Sequence, residues 1–227
     1  MSIAKAIILD EQRNDRLGFD EAILCAQKTT EQIAQIVQMS RLSGRRLFTK
    51  LDHQKFNDLP EEAKNQLHYQ AESKTAVLGA NLDLDKPVTI AIVSAGSSDA
   101  PIVAEAHATL NYYGEPSLVI GDVGVAGIWR LLEKIHVLES MSVIIAVAGM
   151  DAALPTVLGG LVPASIIGVP TSTGYGVARE GETALAAMLT SCAPGLTVVN
   201  IDNGYGAACA ALRIINTSSK NRIEPSE

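Results

Sequence analysis

Five short segments of this chain gather small, polar and acidic residues directly after apolar runs. They are Ser94-Ala95-Gly96-Ser97-Ser98-Asp99, Gly121-Asp122-Val123-Gly124, Gly149-Met150-Asp151-Ala152, Thr171-Ser172-Thr173-Gly174-Tyr175-Gly176 and Asp202-Asn203-Gly204-Tyr205-Gly206. In the first, Gly96 permits close backbone approach, and Ser97, Ser98 and Asp99 stand where a helix opens. A phosphate there meets backbone N–H groups and the positive end of the helix dipole. Asp99 offers an acceptor to ribose hydroxyls, yet the same residues also make an ordinary helix cap. The segment is neither a P-loop nor GxGxxG, which excludes those nucleotide motifs. Thr171, Ser172, Gly174, Tyr175 and Gly176 form either a ligand-contacting segment or a plain strand-to-helix loop, and Asn203-Gly204 repeats the theme. Asp122 and Asp151 each follow a strand end, where a carboxylate handles protons, binds metal or caps a helix.

Cys192 lies in Thr190-Ser191-Cys192-Ala193-Pro194-Gly195, where Pro194 and Gly195 signal that a helix has ended. The dipole at a helix C-terminus disfavours a thiolate. Cys192 is therefore either a semi-buried structural thiol or a nucleophile with a positive partner, and a cationic substrate ring supplies such a charge. Cys25 and Cys209 have apolar neighbours and read as packing residues. Three scattered cysteines make no disulfide framework. Free thiols point to a reducing compartment, the cytoplasm. His53, His68, His107 and His136 show no metal-ligand spacing.

Those segments need a scaffold. The apolar runs at 88–94, 116–122, 142–149, 164–170 and 196–202 read as five buried strands, separated by helical segments at 99–113, 126–138, 151–160, 179–191 and 203–215. Regular alternation predicts a parallel sheet covered on both faces, a flavodoxin-like doubly wound α/β domain. Ligands of such sheets sit beyond the C-terminal strand ends, where the segments above emerge. Residues 1–86 read as a small α/β domain, with helices at 29–40 and 59–67 and strands at 45–51 and 74–79. The catalytic domain is expected over 87–216 and a polar tail over 217–227. With 47% hydrophobic residues, a mean hydropathy of +0.18 and net charge −7, the chain is globular and carries no basic face for nucleic acid. Its apolar stretches are too interrupted for a membrane span. Asp10 and Glu11 break any signal-peptide core early.

Taken together, SAGSSDAPIVAEA, DVGVAG, VAGMDAALPTVLGGL, GVPTSTGYG, SCAPG and VVNIDNGYGAA resemble the nickel-pincer nucleotide carboxylase/hydrolase family, often called LarB, from about residue 88 to 211. The stretch 9–29 resembles that family's opening signature D-x-x-R-x-x-R-x-G-F, carried here by Asp10, Arg13, Arg16, Gly18 and Phe19. The family's C-terminal domain is similar to aminoimidazole ribonucleotide carboxylase/mutase, a purine-pathway enzyme and the alternative reading. That relative has a histidine before Leu-Pro where this chain has Ala153. The resemblance implies carboxylation of nicotinic acid adenine dinucleotide at C5 of its pyridinium ring, using carbon dioxide or bicarbonate. It also implies anhydride hydrolysis that releases AMP, assistance by Mg2+, and a homo-oligomer, an octamer. It makes Cys192 the nucleophile and Asp151 the acidic group by the ring, where the family usually has Glu. Ser97, Ser98 and Asp99 would hold phosphate and ribose, and Asp10, Arg13 and Arg16 the anhydride or its metal. A surface helix with paired charges is the other reading of those three.

Overall fold

The computed structural model describes residues 7–41 and 44–220. The chain divides into two compact units, Met1–Leu82 and Asp83–Glu227. Among the described residues no helix is long and apolar enough to cross a membrane.

The first unit holds α1 (Arg13–Leu17), β1 (Ile23–Leu24), α2 (Thr30–Ser40), β2 (Arg46–Thr49), α3 (His53–Asn57), α4 (Glu61–Lys64), β3 (Leu67–Gln70) and β4 (Thr75–Leu78). Its sheet runs β1-β2-β4-β3. Thr29 caps α2 reciprocally with Gln32: each backbone N–H donates to the other's side chain, at 3.2 and 2.9 Å. Ile33, Ile36 and Val37 then face one core with Phe48, Leu51 and Leu78. The helix expected over 59–67 is only Glu61–Lys64, and Leu67 opens a strand. Leu67 is buried while His68 and Gln70 are exposed, the alternation of a half-buried strand paired antiparallel to β4.

The second unit holds β5 (Ile90–Ser94), α5 (Ala100–Tyr112), β6 (Ser117–Ile120), α6 (Ile128–Leu132), α7 (Ile135–Leu138), β7 (Val143–Ala148), α8 (Ala153–Leu161), β8 (Ser165–Pro170), α9 (Glu182–Leu189), β9 (Thr197–Val198) and α10 (Gly204–Lys220). All pairings are parallel, in the order β6-β5-β7-β8-β9. Counted from β5 this is 2-1-3-4-5, the flavodoxin-like order. β5 and β7 are buried along their whole length, as strands covered on both faces must be.

Three expectations need correction here. The helix expected over 126–138 is a tight turn, Val125–Gly127, followed by α6 and α7. Leu131 and Leu138 are both fully buried, so two short helices, each anchored by one leucine, fill the core. The last strand covers two residues of the apolar run 196–202, because it lies at the sheet edge with one neighbour. The polar tail expected from 217 is helical through Lys220, and 221–227 lie outside the described residues.

The strand ends are tied together through Asp99, whose side chain is almost wholly buried. The Gly96 N–H donates to one carboxylate oxygen at 3.0 Å, and the Thr171 hydroxyl donates to the other at 2.7 Å. The Thr171 N–H donates to the Ala148 carbonyl and the Met150 N–H to the Thr173 carbonyl. The Ser172 N–H donates to Asp202 at 2.8 Å. Gly149 has no room for a side chain: a Cβ there would crowd the Thr173 carbonyl and lie 2.7 Å from the Thr171 hydroxyl. The Val123 and Gly124 N–H groups donate to the Ser94 and Ala95 carbonyls, so all five strand-end loops form one network.

Removing one donor from a buried acceptor costs about 1–3 kcal/mol. Thr171→Val is expected to lower stability by that amount in urea unfolding, and Thr171→Ser to recover most of it. Equal stability of the Val variant and the parent would contradict the clamp.

Candidate functional site

A cavity of about 310 Å³ opens beyond the C-terminal ends of β5 and β7. Ala95, Gly96, Ser98 and Asp99 line one side, Gly124, Val125 and Ala126 a second, and Ala148 to Leu154 with Thr173 the rest. Its walls are mostly small and apolar. At one end, Gly96 and Ser98 lie where the thirteen-residue α5 begins, a place suited to an anion.

The position of Asp151 comes from an unusual backbone. Met150 and Ala152, on either side of it, have φ of 53° and 49°. Side-chain-bearing residues reach this left-handed region at a cost of about 1–3 kcal/mol each, and such strain gathers at functional sites. Asp151 is exposed at the cavity and Ala152 is buried beneath it. Ala153, the first residue of α8, also lines the cavity and carries no titratable group.

Of the residues singled out from sequence, Ser98, Asp99 and Asp151 meet at this cavity. Ser97 is exposed next to Ser98 in the turn Ser97–Asp99. Asp99 lines the cavity from below, and its oxygens are engaged by Gly96 and Thr171, so its first role is to brace the loop. Thr171 is buried and serves that brace. Asp122 is paired with the Arg130 guanidinium. Asn203 accepts from the Gly206 N–H at 2.8 Å, at the start of α10. The Gly204 N–H donates at 3.0 Å to the buried Glu105, and a Cβ on Gly204 would collide with the Ile102 carbonyl at 2.6 Å. Asn203 and Gly204 thus cap α10 and pack it on α5; neither lines this cavity.

Cys192 is exposed, on the loop that enters β9 after α9 ends at Leu189. It is not among the cavity's lining residues. Its loop rests on α8: the Ser191 and Thr156 hydroxyls are 2.7 Å apart, and Ala193 sits against Gly159. Helix rise places Thr156 about 4.5 Å along the axis from Ala153. One helix thus carries the cavity wall at its start and the cysteine loop further along. Cys25 is fully buried, and burial pushes its thiol up to about 12.

In the first unit, Asp10 accepts from Arg16 at 2.6 and 3.2 Å and from Arg13 at 3.3 Å. Arg16 above all holds its carboxyl below the usual range; burial opposes it, and Arg13 adds to the lowering. Glu21 accepts from the Asp10 N–H and from Arg13. The charged residues of the opening signature therefore pair with one another and with Glu21. Arg46, almost wholly buried, is bound by Glu11 at 2.9 and 3.0 Å.

A second cavity, of about 520 Å³, is lined by Gly174, Tyr175, Gly176, Arg179, Glu180 and Glu182. Its last three members were not foreseen. Only Gly181 hinted at the left-handed run Arg179–Glu180–Gly181, with φ of 45°, 51° and 98°. Among the described residues no group of three or more His, Cys, Asp or Glu is placed to hold a metal ion.

Comparison with known proteins places this geometry. The AIR carboxylase family profile matches residues 89–225, and a LarB/PurE-like N-terminal domain profile matches residues 2–80. An uncharacterized protein of Methanocaldococcus jannaschii is 37% identical over 217 residues, covering 92% of this chain and 84% of that protein. The N5-carboxyaminoimidazole ribonucleotide mutase of the same organism is 33% identical over 137 residues, covering 58% of this chain and 82% of the mutase. A crystal structure of a Treponema denticola PurE2 variant aligns with a TM-score of 0.42 and 14% identity, over 60% of this chain and 98% of that one. With a strand-end cavity built on the matched segment and a family match over more than half its length, this chain belongs to the AIR carboxylase family and carries a LarB/PurE-like N-terminal domain.

Proposed function

We propose that this chain carboxylates the pyridinium ring of nicotinic acid adenine dinucleotide at C5 and hydrolyses the anhydride. The products are AMP and pyridinium-3,5-biscarboxylic acid mononucleotide, a precursor of a nickel-pincer cofactor. The observation that carries this reading is Ala153 in the cavity wall. The purine-type pattern has a proton-carrying histidine at that place, and a methyl group cannot move a proton. The match of the first unit to a LarB/PurE-like domain supports the same choice, since the mutase alignment accounts for 58% of this chain.

The chemistry assigns roles. A pyridinium ring is electron-poor and does not attack carbon dioxide. Addition of the Cys192 thiolate forms a C–S bond and sends an electron pair to the ring nitrogen, leaving a neutral, enamine-like ring. C5 then forms the new C–C bond to carbon dioxide. A base removes the C5 proton, the electron pair re-enters the ring, the C–S bond breaks and aromaticity returns. Asp151, exposed at the cavity, is the proposed base, one methylene shorter than the family's usual Glu. The apolar wall excludes water from the ring, and the Gly96–Ser98 turn takes the phosphate. Because Cys192 is exposed and outside its own chain's cavity, the sulfur is proposed to reach the ring in a homo-oligomer, octameric as the resemblance implies.

The second reading, a purine-type carboxylase or mutase, is favoured by the 33% identity to the mutase. Turnover of aminoimidazole ribonucleotide in a spectrophotometric assay would support it.

Incubation with nicotinic acid adenine dinucleotide, bicarbonate and magnesium is expected to give AMP and a product one carboxylate heavier than the substrate's mononucleotide half, by mass spectrometry. Cys192→Ala should yield no carboxylated product, and Asp151→Asn should slow carboxylation by about 10²–10⁴-fold. Full carboxylation by the Cys192 variant would refute the covalent route. Iodoacetamide followed by peptide mapping should mark Cys192 first and leave Cys25 unmodified in the native protein. Labelling of both at similar rates would show that Cys192 lacks the required access.

A further inference from the structure

The cavity and the thiol stand on separate elements, and one helix touches both. α8 lines the cavity at Ala153 and Leu154, and it meets the Cys192 loop at Thr156 and Gly159. Residues three apart are neighbours on a helix surface, so Thr156 stands between the cavity wall and the seat of the loop.

That loop is held through the two residues that flank the cysteine. The Ala193 N–H donates to the Ser191 hydroxyl oxygen at 3.1 Å, which closes a turn with Cys192 at its centre. The same Ser191 hydroxyl lies 2.7 Å from the hydroxyl of Thr156. A hydroxyl has one donor and two acceptor positions, so Ser191 serves both partners at once. On the other side of the cysteine, Ala193 rests on bare helix backbone: a Cβ on Gly159 would lie 2.7 Å from the Ala193 methyl carbon. Ser191 and Ala193 are half-buried, and Cys192 between them is exposed.

Packing of α9 does not need the Thr156–Ser191 bond. Ala184 and Met188 are buried and seat that helix in the core, with Met188 lying against Gly168 of β8. An apolar pair at 156 and 191 would fill the same half-buried space without direction, whereas a hydroxyl pair also fixes distance and angle. The bond therefore fixes the loop rather than the helix.

We propose that Thr156 is the positioning residue for Cys192. It holds the Ser191 turn, and the turn keeps the exposed sulfur in one direction. The inference rests on the reading under Proposed function, in which that sulfur is the nucleophile, and deepens it by naming what aims it. A nucleophile confined near its attack geometry reacts with its entropy already spent, and a misplacement of about 1 Å costs up to roughly a hundredfold in rate. Loss of the Thr156 hydroxyl therefore acts on kcat and leaves substrate binding, which uses other groups, as it is.

The test joins steady-state kinetics of the full-length protein to the motion of a nitroxide label on Cys192, read by electron paramagnetic resonance. For the label alone, a Cys209→Ala background keeps it on one site, since Cys25 is fully buried. The variants are Thr156→Val, which drops the hydroxyl, Thr156→Ser, which keeps it, and Ser191→Ala, which removes the bond from the other side. Thr156→Val is expected to free the label and to lower kcat for carboxylation roughly ten- to hundredfold, with KM for the dinucleotide changed less than about twofold. Thr156→Ser should restore both readouts. Adding Ser191→Ala to Thr156→Val should cost little further, because one bond is lost only once. Circular dichroism checks each fold, and Ser191→Ala carries the same expectations and decides the matter if Thr156→Val does not fold. Label motion unchanged by loss of the hydroxyl would overturn the assignment, as would a freed label with unchanged kcat, or the absence of rescue by serine. A label freed by valine but not by serine, in a protein whose parent does not carboxylate the dinucleotide, would uphold the clamp and reject the reaction.

Discussion

Asp99 is a carboxylate almost wholly buried beneath the cavity, and the shape of the strand-end region follows from how it is satisfied. Its two oxygens take a backbone N–H from Gly96, in its own loop, and a hydroxyl from Thr171, at the exit of β8. A buried acceptor deprived of such donors is expensive, so the two loops hold one another in register. That register brings Thr173 onto Gly149 closely enough to forbid a side chain there. The turn that follows, Met150-Asp151-Ala152, is forced into alternating strained conformations and leaves Asp151 exposed at the cavity. An ionic group inside the scaffold thus sets the position of an ionic group outside it.

The doubly wound domain was legible because its strands are buried on both faces. Such strands read as unbroken apolar runs, and each of the five runs produced a strand in the expected place. Legibility failed where burial was one-sided or slight. β3 was hidden in Leu67-His68-Tyr69-Gln70, whose alternation is a two-residue signal inside a polar stretch. The α6–α7 break could not be read, since Leu131 and Leu138 keep helical spacing whether or not the helix is continuous. A cavity opens at the strand ends, and Ser98, Asp99 and Asp151 line it. Sequence could not tell a side chain that faces a ligand from one that satisfies a neighbour. Thr171, Asn203, Gly204 and Asp122 look like ligand groups by composition and are engaged within the protein. Arg179 and Glu180 were missed for the opposite reason: nothing in their identity announces a left-handed backbone.

Cys192 separates what one chain builds from what the reaction needs. Its loop is braced on α8 through Ser191, and its thiol is open to solvent rather than walled off by aliphatic side chains. The cavity supplies an apolar wall, a helix-opening turn and a carboxylate, but the sulfur stands outside it. Family membership accounts for the cavity and the fold. The proposed reaction further requires that an exposed nucleophile and a preformed cavity meet, which makes assembly part of the chemistry.

A crystal structure of the protein soaked with nicotinic acid mononucleotide addresses that requirement directly. The account predicts the ring in the cavity between Gly96 and Ala153, its phosphate on the Gly96–Ser98 turn, and continuous density from a Cys192 sulfur to a ring carbon. A ring seated there with every Cys192 sulfur out of bonding reach, or a ring bound elsewhere on the sheet, would contradict it.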